Sequence, residues 1–229
     1  MNRGALTLAV ETSTPFGSVA IGAGADTLAE VAIGVGNRHA EAIIPAIDFM
    51  LRTLNMRMPE IERIVVGAGP GSFTGLRVAA AAAKGFAHAL GVPLYAYSGL
   101  LTLAAAAGFE VQPVCALFDA RRDEVYAAVY ALEDGELRVL LEPAARTIDD
   151  VLQSVDPDRT LFAGDGAVRH AGLIEAAGAR IAASHRALPR AGALLWLAER
   201  MPAEGAITDA SAWEPAYMRE SGAERGVKG

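Results

Sequence analysis

The stretch Ile64–Arg77, IVVGAGPGSFTGLR, decides how this chain folds. Ile64, Val65 and Val66 form a short buried strand. Gly67, Gly69, Pro70 and Gly71 break it, and a long helical pattern then runs from about Phe73 to Leu90. Backbone amides in such a turn can cradle an anion at the helix N-terminus. The known phosphate loops nevertheless do not fit. No Lys-Ser/Thr pair follows the glycines, and the Gly67-x-Gly69 spacing calls for glycine at 72, where Ser72 stands. The alternative is a tight turn in which Ser72 or Thr74 caps the helix and the glycines let backbones pack closely.

Upstream, Leu6–Val10, Ser18–Gly22 and Thr27–Ile33 read as three short strands joined by turns, an antiparallel meander. The polar cluster Glu11–Pro15 closes the first of them. Between 38 and 54 the apolar residues recur at helical spacing, with Pro45 inside the pattern as a kink or first-turn residue. Downstream, Pro93–Ser98 is a strand and Leu100–Ala107 a helix. The first hundred residues thus read βββαβαβα, unlike a doubly wound sheet that begins βαβ.

The second half repeats this order. Val114–Phe118 runs into Asp119-Ala-Arg-Arg-Asp-Glu124, Val125–Leu132 turns through Glu133–Glu136, and Leu137–Leu141 follows. Helix 148–155, strand 160–163, the turn Gly164-Asp-Gly166 and helix 167–177 complete a second βββαβα pass. A further apolar helix spans 187–201. The expected lobes are 1–104 and 105–205, with 206–229 packing back on the first. No sequence repeat is visible, so the duplication is one of topology.

Charge and composition narrow the function. The net charge of −7 disfavours non-specific nucleic-acid binding, which needs Lys and Arg to displace phosphate counterions. Cys115 is the only cysteine, which excludes an internal disulfide and fits a reducing, cytoplasmic setting; inside an apolar run it reads as a small buried hydrophobe. The N-terminal apolar stretch is too short for a signal segment, and no run is long enough for a membrane span.

The catalytic inventory is sparse. His39, His88, His170 and His185 make no H-x-x-x-H pair, no Gly-x-Ser-x-Gly elbow occurs, and Cys115 has no evident histidine partner. Neither a catalytic residue nor a metal site is expected. The stronger signal is the helix pair 38–54 and 74–90. The second is apolar on every side between Val78 and Ala83, so one face can lie on its own sheet and the other needs a second cover. A neighbouring helix, a second copy or another protein would serve.

Leu8–Ser13 (LAVETS), Arg38–Glu41 (RHAE), Gly69–Arg77 (GPGSFTGLR), Asp119–Tyr126 (DARRDEVY), Gly164–Gly166 (GDG) and Pro215–Arg219 (PAYMR) together resemble the bacterial TsaB (YeaZ-like) family. This is the accessory subunit in synthesis of threonylcarbamoyladenosine at position 37 of tRNAs. The resemblance runs from residue 6 to about 219. It implies the two-lobed α/β fold shared by actin, Hsp70 and sugar kinases (ASKHA), in agreement with the duplicated βββαβα order. It also implies a non-catalytic scaffold that binds a TsaD-like subunit, which carries the metal-binding histidine pair absent here. A TsaE-like ATPase joins them, tRNA is contacted at most indirectly, and the chain alone forms a homodimer. ATP is used by the complex, with no cofactor expected for the isolated chain. The interface expected from the two helices comprises His39, Ile43, Ile47, Thr74, Arg77, Ala80, Ala83 and Lys84.

The alternative is an ATP-dependent kinase of the same superfold, or a peptidase. Nucleotide-handling members place an acid and small hydroxyls at the end of the first strand. Glu11, Ser13 and, in the second half, Asp119 are the weak candidates. Glu11 stands where many relatives have Asp, which keeps the carboxylate.

Overall fold

The computed structural model describes residues 4–34, 38–121 and 123–216. Strands β1 (Leu6–Glu11), β2 (Phe16–Ala23) and β3 (Asp26–Gly34) form the meander, followed by α1 (His39–Thr53), β4 (Arg63–Gly67), α2 (Phe73–Leu90), β5 (Leu94–Tyr97) and α3 (Gly99–Ala107). The second pass comprises β6 (Val114–Arg121), β7 (Glu124–Glu133), β8 (Glu136–Thr147), α4 (Ile148–Ser154), β9 (Leu161–Ala163), α5 (Asp165–Arg169), α6 (Ala171–Ala176) and β10 (Arg180–Ile181). Helices α7 (Ala191–Arg200) and α8 (Pro202–Gly205) follow.

The two sheets have the same order, β3-β2-β1-β4-β5 and β8-β7-β6-β9-β10. In each, the meander pairs antiparallel and the crossover strands join parallel to the first strand. The duplicated topology and the two-lobed ASKHA fold are both present.

Three cores stack between these layers. Val10, Leu8, Ile64 and Val66 of the first sheet pack against Ile43, Ile47, Met50, Ala79 and Ala83 of α1 and α2. The sheet's other face, with Ala9, Ala20 and Val65, meets α3 and α7, which in turn meet Val114, Ala116 and Phe118 of the second sheet. Cys115, Leu117 and Val125 face α4–α6 on the far side. Strands with helices on both faces carry continuous apolar runs, as Leu8–Val10 of β1, Ile64–Val66 of β4 and Val114–Phe118 of β6 do. Cys115 is fully buried, and burial pushes its thiol well above the ordinary range.

Several boundaries differ from the sequence reading. β8 runs to Thr147, well past Leu141, because it bulges opposite Ala127–Tyr130 and pairs again beyond the bulge. The helix expected over 167–177 is two short helices that meet at His170. Helix α7, expected in the second lobe, lies chiefly against β1, β2, β3 and β4 of the first, as well as α3. Arg190 binds Glu30, the Ala191 N–H donates to Ser18 Oγ, and buried Arg63 reaches both the Ala198 carbonyl and Glu199. An amphipathic pattern shows that a helix has an inner face but not which sheet will cover it. The chain therefore returns to the first lobe at about 191, earlier than the expected 206.

Beyond α8 the segment 206–216 forms a strap over the first lobe. Ala206 bridges Tyr95, the Ile207 N–H donates to the Leu94 carbonyl, and the Ala216 N–H donates to the Ala68 carbonyl. No helix is long and apolar enough to cross a membrane among the described residues.

Candidate functional site

The turn after β1 is a buried polar hub. Glu11, Thr12, Ser13 and Thr14 are all 5% exposed or less. Thr12 Oγ1 donates to the Gly75 carbonyl, the Ser13 carbonyl accepts from the Ser72 N–H, and Thr14 O accepts from His39 Nε2 at 3.0 Å. One turn thereby holds the first residue of α1 and the start of α2. Because a carbonyl can only accept, Nε2 carries the proton, and Nδ1 is buried with no partner. Burial lowers the His39 pKa, against the raising effect of the Thr14 carbonyl, and keeps the ring neutral.

The Gly67–Gly75 turn closes on this hub. A Cβ at Gly67 would run into Glu11 Oε2, one at Gly71 into the Ser13 carbonyl, and one at Gly75 into the Thr12 carbonyl. Gly71 also has φ near +154°. Of the two expected caps Ser72 is the one used, accepting from the Gly75 N–H. The Ala68 N–H donates to the Tyr97 carbonyl and the Ser72 N–H is taken by Ser13. The amides of Ala68, Ser72 and Gly75 are thus committed within the protein, and the glycines pack closely against the hub.

Glu11 and Ser13 come together here, but not toward an open cleft. Glu11 Oε1 accepts from the Ser13 N–H at 2.6 Å, while Glu11 Oε2 and Ser13 Oγ are buried without partners. Burial raises the Glu11 pKa, opposed by hydrogen bonds from Ser13 and Thr12. Asp119, in the matching position of the second lobe, has other partners, all of them in a charged cluster. Arg169 bonds Asp119 at 2.8 Å and Asp123 at 3.3 Å, and Asp165 accepts from the Asp119 N–H. Burial works to raise the Asp119 pKa, but the Arg121 N–H and Arg169 outweigh it and hold the carboxyl below its ordinary range. Sequence reasoning missed Arg169, whose distance along the chain gave no cue. Arg122 lies outside the described residues. No group of three or more His, Cys, Asp or Glu is placed to hold a metal among the described residues.

The helix-pair residues divide by face. His39, Ile43, Ile47, Ala80 and Ala83 point inward and are buried, so they hold the lobe together and present nothing outward. Thr74 and Arg77 are exposed. Lys84 is half-buried, its Nζ donating to the Trp213 carbonyl and pairing with Glu214, so the strap covers this flank of α2. The outward apolar residues are ones the sequence reading passed over: Ile44 (52% exposed), Phe49 (61%) and Phe73 (36%), with Pro45 and Ala81 also exposed. The signal was available. His39, Ile43, Ala46, Ile47 and Met50 fall at i, i+4, i+7, i+8 and i+11, one helical face, which leaves Ile44 and Phe49 off it. Arg77 stacks over the Phe73 ring, 4.0 Å from its centre.

Both the sequence and the fold of this chain are similar to those of known proteins. The family described as "TsaD: tRNA N6-adenosine threonylcarbamoyltransferase" matches residues 34–226. The Bacillus subtilis tRNA threonylcarbamoyladenosine biosynthesis protein TsaB is 32% identical over 170 residues, 73% of this chain and 74% of that protein. The chain belongs to the TsaB family. The Escherichia coli TsaB is 28% identical over 97% of this chain and 98% of its own length. The solved structure of YeaZ from Pseudomonas aeruginosa superposes with a TM-score of 0.79 at 33% identity, covering 93% of this chain and 99% of that one. The Tyr217–Arg219 part of the PAYMR motif lies outside the described residues.

Proposed function

We propose that this TsaB-family chain serves threonylcarbamoylation of adenosine 37 in tRNA as a non-catalytic scaffold that docks a TsaD-like catalytic subunit on the outer face of α1 and α2. In this reading a TsaE-like ATPase joins the assembly and supplies the use of ATP, tRNA is met at most indirectly, and a second copy takes the same face when the partner is absent. The observation that carries it is the outward pair Ile44 and Phe49, exposed on a helix whose inner face is packed, next to α2 with Arg77 over the Phe73 ring. A docking face of this kind gains most from a few aromatic and arginine anchors. The names of the relatives support the pathway.

The kinase alternative finds less support, since Glu11 is sealed under Gly67, Asp119 is bound to Arg169, and the amides of Ala68 and Ser72 are in use. The peptidase alternative lacks a nucleophile paired with a base.

Co-elution with a TsaD-like subunit, with and without Phe49→Asp, tests the proposal. Phe49 is exposed, so the variant keeps its unfolding midpoint to within about 0.5 kcal/mol while losing the association. Separate elution of the wild-type proteins at micromolar concentration refutes it, and retained binding by the variant refutes the surface. Charged substitutions at Ala80 or Ala83 would unfold the lobe instead, since both are buried.

A further inference from the structure

Glu11 is the one fully buried carboxyl among the described residues. Its surroundings supply no countercharge. Ser18 lies opposite it on β2 and Gly67 beside it on β4. Ser13 donates its N–H, and the influences acting on the group are burial and hydrogen bonds, with no charged residue among them. The cations and titratable groups nearby in the fold are engaged elsewhere: Arg190, at the start of α7, holds Glu30, and His39, at the start of α1, is neutral and bonded to Thr14. An ionised carboxylate shut away from water without a countercharge is strongly unfavourable; the hydrogen bonds from Ser13 and Thr12 offset only part of the burial, and the group takes up a proton. Oε2, which meets no donor, then carries its own hydrogen.

That oxygen stands against the Cα of Gly67, and the same residue fixes the Ser13 backbone through Oε1. Ser13 in turn holds Ser72, the cap of α2, and closes on Gly71. Displacement at Glu11 therefore passes through two backbone contacts to the turn that presents Phe73, Thr74 and Arg77.

We propose that Glu11 acts as a neutral acid that wedges the Gly67–Gly71 turn and the first turn of α2 into place, making it a positioning residue for the outer face of that helix. It differs in kind from the metal- or phosphate-directed acid expected at this strand end. Its bearing on partner docking rests on the function proposed above, whereas its protonation and its hold on the turn do not.

Three measurements on the full chain test it without any partner. Infrared difference spectra of the wild type against Glu11→Gln at pH 7 are expected to show the C=O stretch of one protonated carboxyl, lost in the variant. Its absence overturns the proposal. Urea unfolding between pH 5.5 and 7 gives the second. The folded state keeps a proton that the unfolded chain releases, so the wild-type folding constant falls relative to Glu11→Gln by about tenfold per pH unit. Parallel pH profiles overturn the proposal. Amide exchange at pH 7 gives the third: Glu11→Ala speeds exchange over Gly69–Arg77, while Glu11→Gln, which keeps the wedge without a charge, exchanges like the wild type. Unchanged exchange in Glu11→Ala overturns the positioning role. Should either variant fail to fold, infrared titration of the wild type decides alone, since a band already lost below pH 7 means an ionised Glu11. A TsaD-like subunit that fails to bind under these conditions counts against the docking face and not against the wedge.

Discussion

The turns that end β1 and β6 occupy the same place in two copies of one topology and carry acids of the same kind, yet they have opposite surroundings. Glu11 is sealed among Gly67, Ser13 and backbone, with no charge to answer it. Asp119 sits in a charged, solvent-facing turn, bound to Arg169 and accepting the Arg121 N–H. The difference lies in what each chain segment brings across. In the first lobe four closely spaced glycines let a neighbouring turn close over the acid. In the second, the chain crosses with Gly164-Asp165-Gly166 and an arginine, which keep the site polar. The two lobes share the path of the backbone and differ in the electrostatics of these two turns.

The largest effect that would break this contrast is steric. Gly71→Ala and Gly75→Ala place a methyl against the carbonyls of Ser13 and Thr12, neither of which can swing aside as a side chain can. Each is expected to lower stability by about 3 kcal/mol or more in urea unfolding. Gly172→Ala, a helical position with open space around it, is expected to raise stability by about 0.5–1 kcal/mol.

Acid and base separate the two turns next. The raised pKa of Glu11 gives stability that is complete below the ordinary glutamate value of 4.5 and is lost as pH rises through the folded value. The lowered pKa of Asp119 does the reverse: its contribution is complete above the ordinary 3.8 and is lost as pH falls through the folded value. His39, also lowered, contributes fully above 6.5 and loses its share as pH falls through its folded value. Asp119→Asn is therefore expected to unfold more readily than wild type at neutral pH and to converge with it on the acid limb, while Glu11→Gln matches the wild-type profile in acid and departs from it across neutral pH. The smallest effect is expected at Arg169→Ala. Arg169 itself lies at the surface and Asp123 is exposed, so the loss is slight and shrinks further in high salt.

How much of this was legible follows from which signals are local. The Ile64-Val65-Val66 strand, the glycine turn, the Ser72 cap and the Asp134-Gly135 hairpin turn each carry their instruction within a few residues, and each stands where the sequence puts it. Burial along α1 was readable in principle from the i, i+4, i+7 spacing, and treating the helix pair as one apolar surface concealed it. The contacts of Arg169 with Asp119, of Arg63 with Glu199, and of Lys84 with Glu214 join residues 50, 136 and 130 apart. No periodicity encodes such pairs; only the finished packing brings them together. The attribution of α7 to the wrong lobe belongs to the same class.

That return of α7 bears on the order in which the chain becomes structured during synthesis. The inner face of β1, β2 and β4 lacks its α7 cover until residues 191–200 have left the ribosome, and β5 lacks its bridge until Ala206 follows. The half encoded first is thus the half completed last, so the lobe bearing α1 and α2 reaches its final form only when translation is nearly over.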